Sequence, residues 1–234
     1  MTHSATHVLV AISLFAVGCG GSSQAAGPVS TVPTDLKDIE GLAEDAYDKA
    51  LAGDTAAVSA DADTIASGWQ AFRAQAESDG ASGDVLDAMD AATAGLTAAV
   101  GDGSSDLARA ANAISAPMDE LFGLYQDPVP PAVLALDYLG REVALDARDG
   151  TFDRASDDVT AIETTYGALR SELIDNGGDQ EASDYDASVS KLQADIAAAN
   201  ATQLEADANE GLEIVDAMEA VFAASAEAPG EVPD

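Results

Sequence analysis

The chain of 234 residues holds one cysteine, two histidines, one tryptophan, five tyrosines and five phenylalanines, and only 9 lysines and arginines against 43 aspartates and glutamates. Each shortage excludes something. A lone cysteine, Cys19, rules out an internal disulfide framework and a cysteine-rich zinc site. Both histidines, His3 and His7, lie ahead of the first apolar run, which leaves the body without a Ser-His-Asp or Cys-His nucleophile system and without histidine-ligated haem or zinc. The patterns C-x-x-C-H, G-x-G-x-x-G and G-x-x-x-x-G-K-[ST] are missing, which removes c-type haem attachment and the glycine-rich phosphate cradles. A formal net charge of -34 makes nucleic acid an unsuitable partner. With aromatics at 5% and apolar residues at 47%, the interior has to be built from alanine, leucine, valine and isoleucine, which favours close-packed helices over a β-sandwich.

What is present begins with an address. Val8 to Val17 is an apolar run of signal-peptide length, too short to cross a bilayer, which takes about 20 helical residues. It ends in Ala16-Val17-Gly18-Cys19, which resembles the lipobox of bacterial lipoproteins. The resemblance implies a signal peptide over 1–18, cleavage before Cys19, acylation of that residue by palmitate-type chains, and a flexible Gly/Ser-rich tether over 19–33. At about 0.8 kcal/mol per buried CH₂, two or three acyl chains hold a protein on a bilayer almost permanently. Gly20 after the cysteine resembles the outer-membrane default of Gram-negative sorting. The expected location is therefore the cell envelope, lipid-anchored through Cys19 and facing the periplasm in a Gram-negative cell, with another envelope protein as a further partner.

From Thr34 onward apolar residues recur at spacings of three and four, with no sustained alternation. Val159, Ile162, Tyr166, Leu169 and Leu173 form one such stripe; Leu107, Ala111, Ile114, Met118, Leu121 and Tyr125 form another. These are seams of antiparallel bundles. Sliding the chain against itself by 97 residues brings Gly53, Asp61, Ile65, Arg73 and Gly80 onto Gly150, Asp158, Ile162, Arg170 and Gly177, and aromatic Trp69 onto aromatic Tyr166. A slide of 100 brings Asp84, Ile114, Met118 and Phe122 onto Asp184, Ile214, Met218 and Phe222, which predicts a three-residue insertion near Gly178-Asp179-Gln180.

The expected fold is all-α, a tandem duplication of antiparallel four-helix bundles with about eight helices. The predicted spans are 35–52, 54–79, 84–100 and 104–125, then 131–149, 151–176, 181–200 and 203–225. Helical repeat 1 would occupy 34–127 and helical repeat 2 128–225, with a disordered acidic tail over 226–234. Asp127-Pro128-Val129-Pro130-Pro131 separates the repeats, and Pro117 with Ser115, Asp119 and Glu120 predicts a kink or restart in the fourth helix. A tetratricopeptide array, suggested by the helix-turn-helix texture of Tyr47 to Val58 and Ala147 to Val159, has a period of 34 residues, whereas the period here is near 100.

Chemistry has to come from carboxylates. Their excess fits a salt-adapted surface, and predicts a melting temperature that falls on desalting. Screening reaches about 8 Å at physiological salt but about 30 Å at 0.01 M, beyond the radius of gyration of about 17 Å expected for this length. Divalent cations are the alternative partners: Asp146, Asp149 and Asp153, or Asp157, Asp158 and Glu163, supply oxygen donors for a hard cation, although no segment has the D-x-[DN]-x-[DN]-G-x₅-E loop. No specific metal ligand is assigned on spacing alone. Arg141-Glu142, in the apolar helix Leu134 to Ala147, lacks the last acid of the iron-permease R-E-x-x-E motif, since Leu145 stands there; a helix-surface or half-buried ion pair, with Arg148 and Asp149 nearby, is the expected role. Met89, Met118 and Met218 sit at seam positions and are expected in the core. Trp69 with Arg73, and Tyr166 with Arg170, place an aromatic and a cation one turn apart, either as core anchors flanked by surface arginines or as the lining of a cleft between the halves. No catalytic residue and no cofactor is assigned. The leading expectation is a lipid-anchored helical binding or scaffold protein rather than an enzyme, and the alternative is a carboxylate-based carrier of a divalent metal or cationic ligand.

Overall fold

The computed structural model describes residues 31–103 and 106–227. Among these the chain forms nine helices and no strand, with one isolated parallel bridge between Thr31 and Gln126. The first half contains α1 (Thr34–Leu51), α2 (Thr55–Asp79), α3 (Gly83–Gly101), α4 (Leu107–Asn112) and α5 (Met118–Phe122). The second contains α6 (Pro131–Asp149), α7 (Phe152–Asp175), α8 (Asp179–Ala198) and α9 (Ala201–Glu227).

Local chemistry explains the breaks. The Asp54 carboxylate accepts from the Ala57 N–H at 3.1 Å, and the Ser82 hydroxyl accepts from the Val85 N–H at 3.2 Å, which satisfies one free donor at the start of α2 and of α3. Gly80 ends α2 with φ 112°, a left-handed conformation that costs a side-chain-bearing residue. Proline opens α6, where a missing N–H loses nothing. The predicted fourth helix over 104–125 is two short helices instead. Pro117 has no N–H to continue α4, so the chain turns through 113–117 and restarts at Met118. Ser115 does not cap the restart; its buried hydroxyl has no partner among the described residues, and Asp119 accepts from the Glu120 N–H at 2.7 Å.

In the first half α1 packs on α2 and α4, and α3 packs on α2 and α4; the second half repeats the ring, with α6 on α7 and α9 and α8 on α7 and α9. Helix bounds agree across the halves at the 97-residue offset for α1 with α6 and for α2 with α7. For the third helix the structure corrects the expected insertion. Leu86, Met89, Asp90 and Leu96 match Ala182, Tyr185, Asp186 and Leu192 at an offset of 96, so the second half has one residue fewer in that turn. The slide to 100, at which Met118 and Phe122 match the buried Met218 and Phe222, takes place between the third and fourth helices. Asp84 and Asp184 are therefore not equivalent.

Two cores flank α6. Val133, Leu136, Val143, Ala144 and Ala147 belong to the second-half cluster, whereas Leu145 belongs to the first-half cluster with Leu36, Ile65, Met89 and Met118. α6 also packs against α4 and α5. α9 approaches it so closely that a Cβ on Gly140 would lie 2.6 Å from Leu212 Cδ2.

Candidate functional site

Gly140 to Ala147 is buried without interruption, and α6 buries four charged residues: Asp137, Arg141, Glu142 and Asp146. A buried charge is costly unless paired and hydrogen-bonded. Asp137 and Arg141 are one turn apart on one face, and Glu142 and Asp146 are one turn apart on the adjacent face, so the helix directs two charged pairs into two different seams.

The Glu142–Asp146 face meets α4 and α7. Arg109 donates to Glu142, to Asp146 at 2.9 Å and to Asp149 at 2.9 Å. Asn112 Nδ2 donates to the other Glu142 oxygen at 2.8 Å and to the Tyr138 carbonyl at 3.1 Å. Arg154 adds a second cation 3.3 Å from Asp146, which is fully buried. Asp158 completes the cluster. Burial, the charges of Asp146 and Glu142, and a hydrogen bond with Asp146 push its carboxyl up to about 7.

The Asp137–Arg141 face meets α1, where Glu40 and Glu44 lie one turn apart. Carboxylate oxygens of Glu40, Glu44 and Asp137 all fall within 4.8 Å of one another. Arg141 Nη2 is 2.7 Å from Glu44 and 2.7 Å from Asp137, and the guanidinium lies 5.3 Å from the centre of the Tyr47 ring. Burial and the neighbouring Glu44 raise Glu40 to about 9, while burial raises Asp137 to about 7 against the pull of Arg141. Burial opposes ionisation of Glu44 as well, but Arg141 beside it holds that carboxyl below its ordinary range. On α9, Glu219 is pushed up to about 7 and Asp216 is raised, both by burial and by Glu44. A cavity of about 170 Å³, bordered by Lys37, Glu40, Asp127 and Glu219 among others, opens beside this seam.

A separate feature lies within the first half. Between α2 and α3 runs an open groove of about 600 Å³, lined by Ala66, Trp69, Arg73, Asp90, Ala94 and Thr97 among others. Trp69 Nε1 donates to Asp90 at 2.6 Å and Arg73 Nε at 2.9 Å, which clasps the two helices at one end. Burial works against ionisation of Asp90, yet these two donors hold its carboxyl below the ordinary range.

The expected carboxylate triplets are not brought together. Asp146 and Asp149 converge on Arg109 while Asp153 is exposed on α7; Asp158 meets Asp146, Asp157 is exposed, and Glu163 accepts from Gln193 at 2.7 Å. Arg141 and Glu142 do form buried ion pairs, but with Glu44 and Asp137 and with Arg109 rather than with each other. Met89, Met118 and Met218 are fully buried in the cores. Trp69 and Tyr166 anchor their own halves, so neither lines a cleft between them. Cys19 lies outside the described residues, and among the described helices none is long and apolar enough to cross a membrane. Glu40, Glu44, Asp137, Arg109 and Asn112 went unassigned from sequence. The 97-residue slide held a signal for the first three, because it places Glu40 on Asp137 and Glu44 on Arg141. No family model matches the chain, and neither curated proteins nor solved structures show significant similarity to it.

Proposed function

We propose that the chain is a lipid-anchored envelope protein whose helical body is a docking module, and that the α2–α3 groove of its first half receives an amphipathic helix of another envelope protein. One observation carries the reading: the first half has an open groove between α2 and α3, and at the matching place in the second half a side-chain bridge spans the two helices. Ala66 and Thr97 correspond to Glu163 and Gln193, which hydrogen-bond across α7 and α8 at 2.7 Å. Small side chains along the two helices leave room for a third helix to insert apolar residues, the usual helix-in-groove mode. The net charge of -34 favours a partner helix whose apolar stripe is flanked by lysine or arginine. Membrane attachment through Cys19 would place the groove within reach of such partners, and binding rather than catalysis is the role proposed.

The experiment places a photo-crosslinking residue at Thr97 in the full chain, identifies the captured envelope protein, and measures its affinity in purified form. Ala66→Glu with Thr97→Gln, which imports the second-half bridge, is expected to weaken binding at least tenfold. Unchanged affinity in that double variant overturns the docking reading. Separately, Cys19→Ala is expected to move the protein out of the membrane fraction; a wild type already outside it would defeat the anchor.

A further inference from the structure

We propose that the seam where α1 faces α6 and α9 is a latch between the two halves, held shut by carboxyl groups that share protons across it and released as those groups ionise. α1 packs on α2 and α4 but not closely on α6 or α9; the first half rests on the second through α4 and α5 against α6. At the latch the gap is spanned by side chains instead. Arg141 Nη2 on α6 lies 2.7 Å from Glu44 on α1, and the oxygens of Glu40, Glu44 and Asp137 lie within 4.8 Å of one another. Apolar packing holds at any pH, whereas a contact made by ionisable side chains holds only while their charges balance.

That balance depends on protons. Lys37 is paired with Asp127 at 2.8 Å, and the single Nη2 of Arg141 serves both Glu44 and Asp137. Among the described residues no cation lies within ion-pair distance of Glu40 or Glu219. Carboxylates this close cannot all ionise beside one guanidinium. Glu44, which Arg141 holds ionised, is hydrogen-bonded by Glu40 on its own helix and by Asp137 from the other half. The proton on Asp137 is therefore itself a bond across the seam, and its loss leaves two carboxylates facing each other. Arg141 Nη1 is buried without an acceptor among the described residues, so the shut seam leaves one donor unspent that water reaches when the seam parts.

Burial raises Glu40 to about 9, and Asp137 and Glu219 to about 7. Closing the seam thus takes up protons; its contribution is complete below the ordinary carboxyl range and is lost as pH rises through about 7 and then about 9. The other groups facing these carboxyls are Tyr47 on α1, Asp127 in the α5–α6 connection, Tyr185 on α8, and Glu213 and Asp216 on α9. Burial raises both tyrosines, which keeps them neutral, while the three acids add repulsion as the seam ionises. The arrangement follows from the repeat: Glu44 and Arg141 are 97 residues apart, the spacing at which α1 and α6 correspond, and so are Glu40 and Asp137, so that matching positions of the two halves meet across the seam.

Spin labels at Thr34→Cys on α1 and Ala220→Cys on α9, both exposed, in the full-length Cys19→Ala protein report the width of the seam. In high salt, which screens the general repulsion of a polyanion, one distance is expected at about pH 5 and a longer one at about pH 10, with helicity unchanged by circular dichroism. Glu40→Gln with Glu219→Gln, which fixes two of the carboxyls in the neutral form, is expected to cut the change in distance by at least half. Asp184→Asn, on exposed α8, is expected to leave it as in wild type. Should the double variant fold poorly, Glu40→Gln alone is expected to remove the later step, near about pH 9, and keep the earlier one. A wild-type distance that stays fixed over this range overturns the latch without recourse to any variant. A lengthening that comes only with loss of helicity, or one that persists in full when Glu40 is neutral, overturns it as well.

Discussion

The two halves keep the same clasp and fill the space around it differently. Arg73 on α2 holds Asp90 on α3, and Arg170 on α7 holds Asp186 on α8 at the matching position. Beside the first clasp, Trp69 spends its N–H on Asp90 and the helices open into a groove; beside the second, Tyr166 gives its hydroxyl proton to the Ala182 carbonyl at 2.7 Å and packs edge-on against Tyr185. Glu163 and Gln193 then bridge the second pair of helices where the short Ala66 and Thr97 line the groove of the first. A conserved-looking ion pair is therefore no guide to a conserved surface. Helix positions are fixed by cores that recur at matching places, and the outward positions between them are free to become a bridge in one half and a groove in the other.

The sharpest break of this likeness lies in the fourth helix. Arg109 supplies the cation for fully buried Asp146 and buried Glu142, whereas its counterpart at the 100-residue offset, Asn209, is exposed and donates to the Glu205 carbonyl one turn back on its own helix. Removing one partner of a buried charge network costs about 3–5 kcal/mol, because the other charge stays behind unpaired. Arg109→Ala is expected to lose that much in chemical denaturation, while Asn209→Ala stays within about 0.5 kcal/mol of wild type. Comparable losses at both positions would mean that the Arg109 network does not tie the halves together.

A smaller effect separates the seams from the clasps by pH. Burial raises Asp158 from 3.8 to about 7 and Glu219 from 4.5 to about 7, so their contribution to stability is complete below pH 4 and is lost as pH rises through 7. Asp90 and Asp186 behave oppositely: they are held below the ordinary range, so their contribution is present above pH 4 and lost as pH falls through their lowered values. Because the raised groups are the more buried ones, stability in high salt is expected to decline between pH 5 and pH 8. Asp158→Asn should flatten part of that decline. Denaturation midpoints that rise over the same interval, or an unaltered slope in Asp158→Asn, would remove Asp158 from the account.

The long helices were legible because each buries one stripe, and the spacing of Val159, Ile162, Tyr166, Leu169 and Leu173 encodes that stripe directly. The register of the third helix was not, because alanines and aspartates recur so often there that Asp84 falls on Asp184 by composition alone. The buried positions of the third helix and the partner of Arg170 together show which aspartate corresponds to Asp90. The seams were hidden for a different reason. Periodicity states which face of a helix is apolar, but the meeting of Glu40 and Glu44 with Asp137 depends on how one bundle docks on the other, and that is set by α4 and α5 resting on α6. The break at Pro117 was visible from proline chemistry, though not its extent.

The finest test of the halves concerns what holds each clasp aspartate. Arg170 donates to Asp186 through Nε and Nη2, and these bonds lower the Asp186 carboxyl; Arg73 shares Asp90 with the Trp69 indole. Removing the guanidinium should therefore act unequally. In Arg170→Gln the Asp186 carboxyl keeps its burial and only the smaller lowering contribution of the Tyr166 hydroxyl, and moves up toward the ordinary range. In Arg73→Gln the indole N–H at 2.6 Å continues to favour the charged form of Asp90, and the upward movement is smaller. Both clasps are exposed to solvent, where such pairs contribute little to stability, so melting temperature should hardly register either change. Carboxyl titration followed by NMR should register both. Equal shifts at Asp90 and Asp186 would show that the tryptophan fills space in the first half without holding the aspartate, and the groove would then owe its shape to the alanines alone.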